Sequence, residues 1–311
     1  SAAGLDSNGH GSHVASTVTS NGIGMASTAP AARLLNAKVF AAVGGTPTSR
    51  IWDAITWCAD QPETDAINMS LGGTRTISGS TAAAMATSWA NYVAERDVYN
   101  SVVKYATDRG VVVVVSAGND GRTQVNPPTS RPAPGTTTLI TFPAQLEGVV
   151  SVGASAPATS TVFPFSPPAP NAVFDTRAGY SNIGDLAAPI LWAPGGASSG
   201  SRAQLNITAA CPPSRVPNSG GNNPVVTGPA TICMGGQTYR SISGTSMAAP
   251  HVAGLVALVS SRTSGERSDA RRRAIEACMR TTADALPAGS PFFGQRRINA
   301  QRATTESCPG L

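Results

Sequence analysis

The sequence predicts a three-layer αβα domain built on a mostly parallel central sheet. Three observations carry that expectation. Apolar, turn-bounded segments alternate along the chain with segments of helical spacing, the pattern of α/β domains. One of them, Val111-Val112-Val113-Val114-Val115, has no polar alternation at all. Such a run predicts a strand buried on both faces, as in a parallel sheet covered by helices. Finally, 41% of the 311 residues are hydrophobic, enough to fill a sizeable core at this length.

In chain order, Ala32 to Phe40 is apolar and turn-bounded and predicts a strand. Ser49 to Ala59 predicts a helix, with Ile51, Ile55 and Cys58 at helical spacing and Trp52 and Ala59 beside them. Ala66 to Ser70 reads as a short buried strand running into Gly72-Gly73. Val98, Val102 and Tyr105-Ala106 mark a helix that stops at Gly110, a natural C-cap. After the valine strand, Val149 to Ala154 repeats the pattern. Val252 to Val259 is an apolar helix, and Ala270, Ala274, Ile275, Cys278 and Met279 give the last helix its core face. Two stretches break the rhythm: Gly121 to Thr138, rich in Pro, Thr and Arg, and Gly195 to Gly236, rich in Gly, Pro, Ser and Asn. Sheet-like segments continue on either side of both. They therefore read as loops, at about 121–138 and 195–236, inserted into a single domain covering 1–311.

Composition narrows the function classes. Charged residues make up only 13% of the chain, about half the usual soluble share, which argues against a coiled coil, acidic disorder or a charge-driven nucleic-acid binder. The net charge of +5 comes almost wholly from arginine. Its densest cluster, Arg271-Arg272-Arg273, reads as a solvated helix face, with no interleaved aromatics to stack on bases. No run approaches the roughly 18 apolar residues of a membrane helix, so no membrane partner is expected. Five cysteines fit an exported protein better than a cytosolic one. Cys211 with Cys233, and Cys278 with Cys308, would be natural loop-closing pairs, leaving Cys58 as a buried free thiol. Spacing alone does not establish that connectivity. Without CxxC or Cys/His metal spacing, a zinc site is not expected.

Three small-residue motifs stand at the ends of these elements. Asn8-Gly9-His10-Gly11-Ser12-His13 puts an imidazole on open backbone just ahead of an apolar helical stretch. Ser116-Ala117-Gly118-Asn119-Asp120 follows the valine strand directly, at the end of a parallel sheet where ligands collect. Gly244-Thr245-Ser246-Met247-Ala248-Ala249-Pro250-His251 sets a serine at the start of a long apolar helix. Pro250 lacks the N–H that would bond back to the carbonyl of Ser246, which is tolerable near a helix start. Taken singly, each has a bland explanation: a turn, an asparagine in a left-handed conformation, a helix N-cap.

Together, these motifs resemble those of the subtilisin-like serine proteases. The match includes Ile67-Asn68-Met69-Ser70-Leu71-Gly72-Gly73, Phe142-Pro143-Ala144, Val150 to Ala154, and Tyr180-Ser181-Asn182-Ile183-Gly184. It continues through Asp185 to Pro189 and reaches Gly294 to Ala300, nearly the whole chain in the family's order. The resemblance implies a subtilisin-like fold and a secreted, monomeric serine endopeptidase acting on polypeptides. It implies Ser246 as nucleophile, His10 as general base and Asn119 as an oxyanion donor beside the Ser246 N–H. Ser70, Leu71 and Gly72, with Ser116, Ala117 and Gly118, would pair with an extended substrate backbone. His13 and His251 would be structural. No cofactor is needed for the chemistry; structural calcium is common in the family, but no acidic cluster names a site, so no metal ligand is assigned.

One member of the expected triad is missing. The family's aspartate lies upstream of the histidine, at the end of an apolar strand in an Asp-Ser/Thr-Gly motif. Only nine residues precede His10. Asp6 is among them, but it matches the short acidic stretch before this histidine and lacks the strand. The chain is thus expected to be either a piece of an active protease without its first strand, or a degenerate relative that only binds peptides. The intact nucleophile, base and oxyanion motifs favour the former. An α/β-hydrolase would want Gly-x-Ser-x-Gly and a late histidine; here Ala248 replaces the last glycine and no histidine follows His251. Asn206-Ile207-Thr208 forms a glycosylation sequon in an expected loop, and Asn68-Met69-Ser70 a second one expected to be buried.

Overall fold

The computed structural model describes residues 6, 8–22, 25–41, 45–156, 176–184, 190–197, 206–211, 238–263, 265–285, 296–308 and 310–311. Helices α1 (His10–Val18) and α2 (Thr48–Asp60) come first, then β1 (Ala66–Met69), β2 (Gly73–Ser78) and the long α3 (Ala82–Asp108). Strands β3 (Val112–Ser116), β4 (Thr137–Phe142), β5 (Val149–Ala156), β6 (Thr176–Arg177) and β7 (Leu191–Pro194) follow. A hairpin of β8 (Ile207–Ala210) and β9 (Tyr239–Ile242) leads into α4 (Thr245–Ser260). The chain closes with α5 (Asp269–Thr281), β10 (Asp284–Ala285), β11 (Arg296–Arg297) and α6 (Ala300–Thr305).

The main sheet runs β1-β3-β5-β7-β11-β10, with β6 paired to β5. Its pairs from β1 to β11 are parallel, and only the short β6 and β10 run antiparallel. The valine strand divides its side chains between two cores, because successive residues of a strand point to opposite faces. Val112 and Val114 meet Val252, Val256 and Ile275 from α4 and α5. Val111, Val113 and Val115 meet Ile55, Tyr99 and Phe142 on the side of α2 and α3. This is the three-layer arrangement, and it explains a run with no polar alternation. Helix α4 is apolar nearly all round because the sheet and α1, α5 and α6 enclose it. At Gly254 an added Cβ would lie 2.7 Å from the Thr28 Cβ, so the glycine sets the distance between α4 and the segment after α1.

Two expectations are corrected. Residues 32–40 form no strand and have no ladder partner among the described residues. Leu34, Leu35 and Phe40 stay 48%, 46% and 44% exposed. A strand exists only by its hydrogen-bonded neighbour, and apolar composition cannot supply one. The arginine cluster is also not one solvated face. Arg272 is only 9% exposed and bonds Asp269 and Glu276. Arg271 reaches Asp65 at 3.0 Å and the carbonyl of Ser260, leaving Arg273 outermost, paired to Asp269.

Elsewhere the expected helices and buried strands recur within a residue or two. The exception is α3, which begins at Ala82, capped by the Thr81 hydroxyl. Its Ala-, Ser- and Thr-rich first half has little apolar contrast to reveal it. The ribbon β2–β4 was not legible either, and β4 takes up the end of the 121–138 stretch. Likewise β8 lies within 195–236. Cys278 and Cys308 form a disulfide. Cys58 is free and half-buried, and burial pushes its thiol pKa up. Cys211 is oxidised, whereas Cys233 lies outside the described residues. Asn206 lies in the bend just before β8, and its side-chain oxygen accepts the Ala197 N–H at 3.1 Å.

Candidate active site

The ends of β1 and β3 and the start of α4 converge on Ser246. Gly244 caps α4, and Ser246 lies in the first turn without capping it, which removes the N-cap explanation. Pro250 leaves the Ser246 carbonyl without its helical donor, and the Ser70 hydroxyl takes that place at 2.7 Å. In return the Ser246 hydroxyl points to the Ser70 carbonyl at 3.4 Å, a long and weak contact. Ser246 is therefore tied to the segment that leaves β1, while its hydroxyl hydrogen remains loosely held.

Asn119 is fixed from the other side. Its side-chain oxygen accepts the Thr245 N–H and the Thr245 hydroxyl, both at 2.9 Å. A backbone N–H can only donate, so the amide orientation is set and the Asn119 NH₂ faces away. An added Cβ on Gly244 would lie 3.6 Å from Asn119 Nδ2 and 3.7 Å from the Ser246 nitrogen. Two donors thus border one point beside the helix start, where the dipole also favours negative charge. Thr245, fully buried, additionally accepts the Gly118 N–H at 3.2 Å.

Asn182 completes this support. It is fully buried, accepts from the Asp120 and Arg122 N–H groups, and donates to the Ala117 carbonyl at 3.0 Å. Sequence reading assigned no site role to Thr245 or Asn182. The available signal was a short polar residue inside a glycine-flanked motif, in Gly244-Thr245-Ser246 and Tyr180-Ser181-Asn182. Ala117 gives its N–H to Val152, and Gly118 gives its own to Thr245. Neither N–H is left for an extended substrate. Ser116 is buried in β3. Ser70 to Gly72 run between β1 and β2 beside Ser246, and a Cβ on Gly72 would strike the Phe142 carbonyl at 2.8 Å.

His10 opens α1, which packs on α4. Asp6 builds that helix start: its carboxylate accepts from the Asn8, Gly9 and Ser12 N–H groups and from the Ser12 hydroxyl. Burial alone would raise the Asp6 pKa, but these four bonds together hold it below the ordinary value. Burial lowers the His10 pKa, opposed by the Asp6 charge, so the imidazole is neutral at pH 7. Among the described residues no hydrogen bond joins His10 to Ser246. His13 is fully buried, and its Nε2 faces the carbonyls of Ile207 and Arg240, each at 3.1 Å. With two acceptors it must carry the proton there, and it holds the β8–β9 hairpin. His251 Nδ1 bonds the Met247 carbonyl at 2.8 Å inside α4. Both rings are thus engaged by backbone carbonyls. Among the described residues no three His, Cys, Asp or Glu side chains gather as a metal donor set.

A parallel-sheet domain with a serine in the first turn of its central helix, flanked by an asparagine amide, has the framework of a serine hydrolase. The family model described as the subtilase family, peptidase S8, matches residues 2–301. The chain is 30% identical to thermitase of Thermoactinomyces vulgaris, over 95% of this chain and 75% of that one. It is 31% identical to an extracellular protease of Xanthomonas campestris pv. campestris, over 97% of this chain but only 40% of the relative. Among solved structures, the epidermin leader peptide processing serine protease of Staphylococcus aureus superposes with a TM-score of 0.66 at 19% identity, covering 97% of this chain and 63% of that one. The nisin leader peptidase of Lactococcus lactis gives 0.63 at 22% identity, covering 96% and 73%. The chain belongs to the subtilase family. No helix among the described residues is long and apolar enough to cross a membrane.

Proposed function

We propose that this chain is the peptidase domain of a secreted serine endopeptidase that cleaves polypeptides. The observation that carries the reading is the shared point beside Gly244 bordered by Asn119 Nδ2 and the Ser246 nitrogen. Ser246 attacks the scissile carbonyl, His10 takes its proton and returns it to the leaving amine, and the two donors hold the oxyanion. The substrate backbone lies along Ser70 to Gly72. Secretion is supported by the Cys278–Cys308 disulfide and by the extracellular relative.

The weak member is the orienter of His10. Asp6 is engaged at all its acceptor positions in the cap of α1. The carboxylate of a full triad is therefore proposed to come from outside the described residues. Asp6's commitment also favours a second reading, a subtilase domain that binds peptides without efficient turnover.

A peptidyl phosphonate, followed by peptide mass mapping, tests the first reading. Adduct on Ser246, lost in Ser246→Ala and slowed in His10→Ala, is the expected result. Adduct elsewhere would refute it. Saturable peptide binding without any adduct would favour the second reading.

A further inference from the structure

Tyr180 is bonded to both halves of the proposed oxyanion site. Its backbone holds the asparagine half: the Tyr180 carbonyl accepts the Gly121 N–H at 2.8 Å, two residues after Asn119. The fit there is close, since an added Cβ on Gly121 would lie 2.9 Å from the Gly179 carbonyl. Its side chain reaches the serine half. The phenol hydroxyl lies 2.8 Å from the carbonyls of both Gly195 and Gly196, just after β7. The Gly195 carbonyl also accepts the Gly244 N–H at 2.9 Å, two residues before Ser246.

The hydroxyl is placed to donate. Burial pushes its pKa up, opposed by the Gly244 N–H and the Ser243 hydroxyl beside the phenol oxygen, so it keeps its proton. That one hydrogen serves one carbonyl at a time, and either bond draws the Gly195–Gly196 turn against the ring. The turn has no slack on its other side. An added Cβ would lie 2.9 Å from the Gly244 carbonyl if placed on Gly195, and 3.0 Å from Ser243 Cβ if placed on Gly196. The Gly195 N–H is fixed in turn to the Ser155 carbonyl of β5, at 2.9 Å. Movement of the turn is therefore passed to Ser243 and Gly244, and through them to the start of α4.

We propose that Tyr180 is a positioning residue for the oxyanion site: its hydroxyl fixes the Ser246 N–H at the spacing from Asn119 Nδ2 that the developing charge requires. The inference rests on the proteolytic reading above. Oxyanion donors work at about 2.7 to 3.1 Å from the charge, and a misplacement of about 1 Å can cost ~100-fold in rate.

Tyr180→Phe keeps the ring and the backbone bond to Gly121 and removes only the hydroxyl. Labelling of Ser246 by the peptidyl phosphonate is measured as a limiting rate and a half-saturating concentration. The limiting rate is expected to fall about tenfold with half-saturation unchanged, the effect of one lost hydrogen bond expressed in the transition state. In an Asn119→Ala background the same substitution should change the rate little, because one of the two donors it spaces is gone. A general loosening of the fold would instead slow both backgrounds alike, and that result would overturn the inference. So would an unchanged limiting rate, or a rise in half-saturation alone, which would make Tyr180 a substrate contact. All three outcomes leave the proteolytic reading standing. If the phosphonate does not label Ser246 in the unaltered protein, that reading falls and the inference with it.

Discussion

The Asn119 side-chain oxygen accepts two bonds from Thr245, one from the backbone N–H and one from the hydroxyl, each at 2.9 Å. The residue before the candidate nucleophile therefore orients the candidate oxyanion donor. Thr245→Val keeps the shape but removes the hydroxyl, leaving one bond to hold the amide. Labelling of Ser246 by a phosphonate should slow several-fold, while Asn119→Ala should slow it by about 100-fold or more, as for the corresponding donor in a subtilisin. Equal labelling rates in all three proteins would remove Asn119 from the site.

The pH dependence should follow His10. Its pKa lies below the ordinary value because burial disfavours the imidazolium, with Asp6 acting in the opposite direction. Labelling should rise with pH through a midpoint below about 6.5 and stay level above it. Asp6→Asn removes the charge that opposes the shift, so the midpoint should move further down. An upward move would show that the titration is not that of His10.

Asp6 also governs the stability of α1. Its folded pKa is depressed, so its contribution is present above the unfolded value of about 3.9 and is lost as pH falls through the folded one. Asparagine offers one acceptor where the carboxylate offers two, so a donor at Gly9 or Ser12 is left unpaired. Asp6→Asn should cost about 1 kcal/mol at pH 7 in denaturant titrations, shrinking toward pH 3.

The disulfide between Cys278 and Cys308 closes a separation of 30 residues. By chain entropy its removal in Cys278→Ser/Cys308→Ser should cost roughly 3 to 4 kcal/mol, seen as a lower urea midpoint. In the native protein Cys58 should react slowly with thiol reagents near pH 7, since burial raises its pKa.

Much of the site was legible because its constraints are local. A proline four residues after a serine frees that serine's carbonyl whatever surrounds it, and Ser70 answers it. What escaped were the supports. Thr245 and Asn182 act through bonds to Gly118, Asn119, Ala117 and Arg122, partners that lie far off in sequence and become neighbours only when the strand ends are brought together.

By itself the sequence determined that the valine strand is buried on both faces, that the helix after Ser246 is long and apolar, and that Ser246, His10 and Asn119 stand at element ends. Periodicity and backbone chemistry are properties of a segment, so they can be read without its neighbours. Only the tertiary structure decided that residues 32–40 form no strand, that Arg271 and Arg272 turn inward to carboxylates, and that Asp6 serves a helix cap. Each of those depends on a partner, and a partner is supplied by the fold.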